Sequence, residues 1–196
     1  MDLEVVQVHT PTLFFRQLEQ LPTFHIAGVT PGAETEKDQA LHLATDVTAV
    51  ITPATMVASW RRLYKAAETV VDVISLGHPH FSYEFRETAV LVRGRTKHPS
   101  TEIMITCGRD VYQKALDVGA IDEFNAFGVK IITDTCLCVV GEPIIQRHAR
   151  SVTNSGKHAH YGEGLTGSRM RLGSLSACVE AACTGFTDKR LPAWLL

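Results

Sequence analysis

Two short apolar runs between residues 128 and 161 end in side chains that can do chemistry. The first, at residues 129–132, runs into TDTC, which ends at Cys136, and the second runs into TNSGK, residues 153–157. A packed core has little use for a thiol, an amide, a hydroxyl and an ammonium group at the ends of strands. Together these groups are typical of a site that binds a metal and a small acid.

The TNSGK segment contains the Gly-Lys pair of a phosphate-binding loop but lacks the rest of that motif. The motif requires a glycine five positions before Gly156 and a Ser or Thr after Lys157, and this chain has Ser and His there. We therefore interpret Asn154, Ser155 and Lys157 as an amide, a hydroxyl and an ammonium group that can bind a carboxylate. The alternative is a capped helix start with a solvated lysine.

The TDTC segment places Cys136 just past a strand. Backbone N–H groups at such a position can lower the pKa of a thiol, and the thiolate can bind a metal. A small buried hydrophobic side chain is the alternative. Cys138 lies two positions further on, but a lone C-x-C pair is weak evidence for a metal, and we expect one ligand here rather than two.

The GHPH segment carries His78 and His80 on either side of a proline, at a predicted turn from strand to helix. A zinc site needs three or four ligands, and no H-E-x-x-H motif is present. We expect a single acid/base or hydrogen-bonding histidine and prefer His80, because it stands at the helix entrance. A histidine with no catalytic role is equally compatible with the pattern.

The TCGRD segment adds a further thiol and a cation at another strand end. Cys107 closes the strand, and Arg109 could pair with an anionic substrate. Arg109 is equally compatible with an exposed residue at the start of a helix.

Composition excludes several classes of protein. The chain has 196 residues, 45% of them hydrophobic, and a net charge of -2, which favours a packed globular protein and no nucleic-acid partner. No apolar run is long enough to cross a membrane, and the N-terminus does not resemble a secretory signal. The five cysteines have no repeated spacing, so we expect a reducing, cytoplasmic environment in which Cys178 and Cys183 are structural thiols.

Strand-like and helix-like segments alternate along the chain. This order, with continuous apolar strands, predicts an α/β fold with a mostly parallel sheet, helices on both faces and a single domain over residues 1–196. Ligands bind at the carboxyl ends of the strands in such sheets. Strands are predicted at residues 24–31, 70–77, 101–106, 129–133, 150–153 and 168–173, and helices at 55–68, between Ser82 and Gly94, and at 110–116, 121–127 and 174–183.

Five segments, taken in order, resemble the aconitase X family of hydro-lyases. They are FHIAGVTP, GHPHFSYEF, ITDTC, TNSGKHAHY and RLGSLSACVEAA, and the resemblance covers residues 22–185, with residues 1–21 and 186–196 as extensions. TNSGKHAHY and PHFS are the specific motifs, and the others support them by order and spacing.

The resemblance implies an aconitase-like domain and an iron–sulfur cluster held by cysteines. It also implies dehydration of a small hydroxy acid, with cis-3-hydroxy-L-proline favoured over mevalonate 5-phosphate because Tyr83 and Phe85 follow PHFS. It assigns Cys136 as the best cluster ligand and Cys107 as a weaker one. It further implies catalytic roles for His80, Lys157 and Tyr161, and substrate-binding roles for Ser82, Thr153, Asn154 and Ser155. Arg109 joins the predicted substrate-binding residues because of its charge, not because of the resemblance.

The resemblance extends to only the C-terminal half of the family's large subunit. We therefore expect an N-terminal half, a small swivelling subunit, or both, to complete the site as partners. Position 78 is His where relatives are expected to have a small residue or Cys. A non-catalytic fragment or paralogue that keeps the fold as a binding or assembly module is the alternative.

Overall fold

The computed structural model describes residues 7–9, 48–50, 52–64, 69–82, 84–188, 190–192 and 195. The chain divides into two compact units, Met1–Ala58 and Ser59–Leu196. In the first unit, β1 (Gln7–His9) pairs antiparallel with β2 (Thr48–Val50). The strand predicted at residues 24–31 lies outside the described residues, and the expectation of a single domain stays a prediction.

The first helix among the described residues, α1, spans Pro53–Leu63. It begins two positions before the predicted start at residue 55, because proline suits the first helical turn and the Thr52 hydroxyl accepts a hydrogen bond from the Thr55 N–H at 3.2 Å. Residues 65–68, where the helix was predicted to end, lie outside the described part of the chain.

The second unit contains a five-stranded sheet in which every pairing is parallel, as predicted. The strand order is β5-β4-β3-β6-β7, so the chain adds strands on one side of β3 and then crosses to the other side. The strands are β3 (Val73–Phe81), β4 (Glu102–Cys107), β5 (Val129–Thr133), β6 (Arg150–Thr153) and β7 (Arg169–Leu172).

Helices follow the strands in the predicted rhythm. Gly128 and Gly185 end their helices in the left-handed conformation, and Ser174 caps the last helix through the Ala177 N–H, all as the sequence indicates. The helices are α2 (Glu84–Val92), α3 (Arg109–Asp117), α4 (Ala120–Phe127), α5 (Gly156–Thr166) and α6 (Leu175–Thr184), with a 3-10 turn at Leu137–Val139.

Two predicted boundaries are wrong. The strand β3 continues through Phe81, beyond the predicted end at residue 77, so α2 begins only at Glu84. Asp110 does not cap α3, because the helix begins one residue earlier and Gly108 occupies the cap position without a side-chain hydrogen bond. In the first case a strand, although an irregular one, continues where a turn was predicted, and in the second the helix starts earlier than the predicted cap.

Alternate residues of the strands pack on opposite faces of the sheet. Ile74, Ile103 and Ile105 belong to the main core, together with buried residues of α2, α3, α4 and α6. Val73 and Met104 face the other way. They pack with Leu137 of the 3-10 turn and with residues of the segment that follows this turn. The sheet is thus buried on both faces, which is why its strands are continuously apolar.

An ion pair joins the starts of β3 and β6. Asp72 accepts hydrogen bonds from the Arg150 N–H at 2.8 Å, from Nε at 2.8 Å and from Nη2 at 2.5 Å. These hydrogen bonds, led by those of the guanidinium, hold the pKa of Asp72 below its usual range against the opposing effect of burial. The pair therefore fixes the alignment of the two strands whose opposite ends carry the site.

Replacing Asp72 by Asn is expected to lower the free energy of unfolding at pH 7 by roughly 1 kcal/mol, a figure kept small because both side chains are about one third exposed. The folded pKa is depressed, so the contribution is present above the unfolded value of about 3.9 and is lost as pH falls below it. Urea unfolding at pH 7 and pH 3 measures this. Equal losses at both pH values would contradict the ionic origin.

Gly77 lets β3 bend out of register just before the histidines. Its φ is +88°, and the pairing with β4 shifts between Leu76 and Phe81. A Cβ at Gly77 would overlap the carbonyl oxygen of Thr106 and lie 2.8 Å from the Phe81 Cβ. The Thr106 hydroxyl also donates a 2.8 Å hydrogen bond to the Gly77 carbonyl. The bend therefore requires glycine.

We expect Gly77→Ala to destabilise the chain by roughly 3 kcal/mol or more, because it adds a steric overlap to the strain of a positive φ. Gly94→Ala is the matched control, since Gly94 also has a positive φ, +67°, but no atom lies within 4 Å of a Cβ there. That control should cost only roughly 1–2 kcal/mol. Thermal and urea unfolding compare the two, and equal losses would show that the close approach at Gly77 does not matter.

Candidate metal and substrate site

The carboxyl ends of β3 and β6 meet where the strand order reverses direction. The two strands are adjacent and parallel, with Ser75 aligned with Thr153. An open α/β sheet leaves a crevice at such a point, and this is where ligands bind in that architecture. The GHPH and TNSGK segments both emerge there, so the topology brings together two of the predicted motifs.

Three potential metal ligands converge at this edge. His78 Nδ1 lies 2.8 Å from Cys136 Sγ, and Cys136 Sγ lies 3.0 Å from Cys138 Sγ. The ligand atoms all lie within 4.8 Å of one another. His78 comes from the irregular end of β3, and the two thiols flank the start of the 3-10 turn.

The sequence indicated only one member of this cluster. Cys136 was the predicted ligand, and the structure places it at the centre of the three residues. Cys138 was expected not to take part, and His80 was preferred to His78. The structure places Cys138 and His78 beside Cys136, because the bend at Gly77 turns His78 towards the thiols. Which of these residues bind a metal stays a prediction. The side chain of His80 lies outside the described residues.

The donors fit a thiophilic metal. Two thiols and one imidazole are ligands that iron–sulfur clusters and zinc both accept, and three protein donors leave room for a further ligand. Burial, followed by the hydrogen bond and charge of Cys136, raises the pKa of Cys138 to about 11, and the Lys157 charge opposes this rise. A bound metal cation would lower the pKa of Cys138 instead, because thiols deprotonate when they coordinate a metal.

Cys107, the weaker predicted ligand, lies elsewhere in the fold. Its side chain is 4% exposed and packs in the main core. Burial, together with the charges of Asp134 and Asp110, raises its pKa. Within the described residues it does not join the group of His78, Cys136 and Cys138. Its surroundings are those of a structural thiol, while its assignment as a ligand stays a prediction.

The TNSGK segment forms the capped start of α5. Thr153 is fully buried, and its hydroxyl accepts a 3.1 Å hydrogen bond from the Ser155 N–H. The Ser155 hydroxyl accepts a 3.1 Å hydrogen bond from the His158 N–H, as an N-cap does. Asn154 is half-buried and Lys157 is exposed in the first turn. The segment therefore forms the capped helix start that was the alternative interpretation of the motif. Its polar groups lie at the edge of the sheet.

The other predicted site residues occupy the surface around this edge. Arg109 is 84% exposed, and its guanidinium is paired with Asp134, with Nε 2.6 Å from Oδ2. Ser82 is exposed and contacts the Glu84 carboxylate at 3.3 Å. Tyr161 is half-buried and meets the His160 ring edge-on at 4.5 Å. An anion that binds Arg109 would therefore have to compete with the Asp134 carboxylate for the guanidinium.

A buried histidine behind the cluster was missed. The His158 side chain is 2% exposed, its ring centroid lies 4.8 Å from that of His78, and its Nδ1 lies 3.2 Å from the Ser75 hydroxyl. Burial, and secondarily the charge of His78, lowers the pKa of His158 to about 4, so its imidazole is neutral at pH 7. The position of His158 one turn into a capped helix was the available signal.

A cavity of about 490 Å³ opens beside the thiols. Its size falls within the range of small-molecule sites, roughly 300–1,000 Å³. Cys138 forms part of its wall, so one metal-ligand candidate faces this cavity. The wall also includes Val139, Arg147, His148, Glu163 and Leu165.

The fold and the cluster define a parallel α/β domain with a thiol–imidazole centre at its switch point. A family profile described as the aconitase X third domain matches residues 71–184, more than half of the chain. The chain belongs to the aconitase X family, as the sequence motifs predicted.

Two relatives share the same name. The chain is 46% identical over 185 residues to the cis-3-hydroxy-L-proline dehydratase of Hypocrea jecorina, a match that covers 92% of this chain and 31% of that protein. It is 41% identical over 177 residues to the enzyme of that name from Pseudomonas aeruginosa, covering 89% of this chain and 30% of that protein. The chain thus spans less than a third of these curated relatives.

A more distant relative has a different name, and one solved structure is similar to this chain. The phosphomevalonate dehydratase large subunit of Methanosarcina mazei is 28% identical over 124 residues, covering 63% of this chain and 30% of that protein. The crystal structure of the holo-form of Thermococcus kodakaraensis aconitase X superposes with a TM-score of 0.60 at 26% identity, covering 78% of this chain and 38% of that one. The predicted α/β fold is confirmed.

No helix among the described residues is long and apolar enough to span a membrane.

Ser155→Ala should lower the free energy of unfolding by about 1 kcal/mol, because the cap of α5 is lost. Ser174→Ala is the matched control, since Ser174 caps α6 in the same way through the Ala177 N–H at 3.2 Å. Urea unfolding compares the two variants. If Ser174→Ala is destabilised and Ser155→Ala is not, the hydroxyl of Ser155 has no capping role.

Proposed function

We propose that the chain is a component of a metal-dependent hydro-lyase that removes water from a small hydroxy acid, with cis-3-hydroxy-L-proline as the substrate. The convergence of His78, Cys136 and Cys138 at the switch point of the sheet carries this proposal. The relative from Hypocrea jecorina, whose name states this activity, supports the choice of substrate.

The cofactor we propose is an iron–sulfur cluster. The thiolates of Cys136 and Cys138 and the Nδ1 atom of His78 would hold it, since their separations suit ligands of one centre. Such a group, when bound, supplies a Lewis acid for the departing hydroxyl or the carboxylate of the substrate. This assignment keeps Cys136, the best ligand implied by the family resemblance, and adds Cys138 and His78 to it.

The substrate carboxylate would bind at the start of α5. The Lys157 ammonium, exposed in the first turn of α5, would supply the charge. The Ser155 hydroxyl accepts the His158 N–H with its oxygen, so its own proton can be donated to a carboxylate. The Asn154 amide completes the group, with Thr153 holding the turn beneath it.

A dehydration also needs a base for the proton next to the carboxylate. We propose His80 or Tyr161 for this role, with Lys157 assisting by neutralising the acid. Arg109 and Ser82 belong to the outer part of the substrate-binding surface, since both are exposed. The roles of His80, Ser82, Lys157 and Tyr161 follow from their positions on the family motifs. The role of Arg109 rests instead on its charge at the end of β4.

The relatives are more than three times longer than the segment they share with this chain. We propose that the remainder of such a polypeptide, a small swivelling subunit, or both, completes the site. The chain's five cysteines are free thiols, which fits the cytoplasm as the proposed location. A non-catalytic module that keeps the fold is the alternative.

Metal loading tests the centre. Reconstitution with ferrous iron and sulfide under anaerobic conditions should give visible absorbance and bound iron, and Cys136→Ser should lose most of both. Cys183→Ser is the control, because Cys183 is also a partly buried free thiol but lies on α6. Equal iron content in both variants would overturn the proposed centre.

Turnover separates the two candidate functions. The reconstituted chain, mixed with the part of the Pseudomonas aeruginosa enzyme that lies outside the match, should consume cis-3-hydroxy-L-proline, and Lys157→Ala should reduce kcat/KM by roughly 10²-fold or more. A chain that binds metal but shows no turnover with that partner would favour the non-catalytic module.

A further inference from the structure

The proposed function gives His158 no role, since it is neither one of the metal ligands nor one of the carboxylate-binding groups. Its side chain is 2% exposed, and a buried imidazole is costly to desolvate, so an apolar residue would be the ordinary choice there. The fold makes room for the ring: a Cβ on Gly162, one turn later in α5, would lie 2.8 Å from His158 Cδ2. The absence of a side chain at Gly162 therefore leaves the space that the His158 ring occupies.

Ser75 anchors this imidazole to the central strand. The Ser75 hydroxyl is buried and lies 3.2 Å from His158 Nδ1. Ser75 is also the last residue of β3 that pairs in register with β6. The His158 ring is thus fixed relative to the regular part of the sheet, and its backbone is fixed by the Ser155 cap.

His78 stands on a less regular part of the same strand. It lies in the stretch of β3 where pairing with β4 shifts between Leu76 and Phe81, so the ladder does not determine the direction of its side chain. Its Nδ1 lies 2.8 Å from Cys136 Sγ, and the His158 ring packs at 4.8 Å and 34° to the His78 ring. The anchored ring supplies a rigid neighbour for the ring on the irregular backbone.

We propose that His158, held by Ser75, is a positioning residue that sets the orientation of the His78 imidazole for metal binding. This inference rests on the proposed metal centre. Residues that orient metal ligands from behind typically contribute about 10–100-fold to metal affinity. His158 acts through His78 and does not itself touch the metal.

Cobalt(II) binding to the reduced chain, under anaerobic conditions, tests this role. The charge-transfer absorbance of cobalt thiolates gives the affinity, and the visible bands report whether an imidazole is among the ligands. His158→Leu should weaken binding at least about tenfold and alter the visible bands, and Ser75→Ala should weaken it in the same direction. His158→Gln should lose less, because its amide can still bond to Ser75.

Two controls separate positioning from general stability. His160→Gln changes an exposed histidine of the same helix and should bind cobalt as the wild type does. Val92→Ala opens a cavity in the main core, and should lower stability without changing the visible bands.

The outcomes distinguish this inference from the proposed function. If wild type binds cobalt, Cys136→Ser does not, and both His158→Leu and Ser75→Ala bind within about twofold of wild type, the positioning role is wrong and the centre stands. If Val92→Ala loses as much affinity as His158→Leu, the role is also overturned. If the wild-type chain binds no cobalt, the metal centre and the positioning role fall together.

Discussion

The bend of β3 at Gly77 is the constraint on which the rest of the site depends. The first part of this strand is held on both sides by parallel neighbours and at its start by the ion pair of Asp72 with Arg150. Beyond Gly77 the strand leaves that register, and only there can a side chain turn from the sheet towards the segment that follows β5. Regular pairing through His78 would direct alternate side chains into the two cores instead.

The site therefore combines rigid and irregular parts. Its rigid wall is β6 and the capped start of α5, where Thr153, Ser155 and His158 are linked by successive hydrogen bonds. Its irregular wall is the end of β3 and the turn that carries Cys136 and Cys138. Functional groups in parallel α/β folds commonly lie on loops supported by a scaffold of this kind. Here the scaffold also provides a buried imidazole that contacts one of the candidate ligands.

Sequence reasoning reached the fold and the motifs but not their contacts. Apolar strands alternating with capped helices were enough to predict the parallel sheet, because that pattern reflects burial on both faces. Cys136 was predicted from its place after a strand, whereas His80 was preferred to His78 because it stood at the predicted helix entrance. The register shift that brings His78 to the thiols depends on the close approach of Gly77 to Thr106, a contact between distant segments. Local patterns carry no information about such contacts.

The separation of the ligands along the chain has a consequence for the order of folding. His78 and Cys136 are 58 positions apart, and Ser75 and His158 are 83 apart. Contacts between such distant positions form only after long loops close, which makes them late and slow events. During synthesis, the thiols and the imidazole cannot meet until most of the sheet has assembled, and α5 must follow before the second imidazole is in place. Because Cys136 and Cys138 are only two positions apart, the two thiols emerge together in the nascent chain, and the assembly of β3, β4 and β5 is what first brings His78 to them.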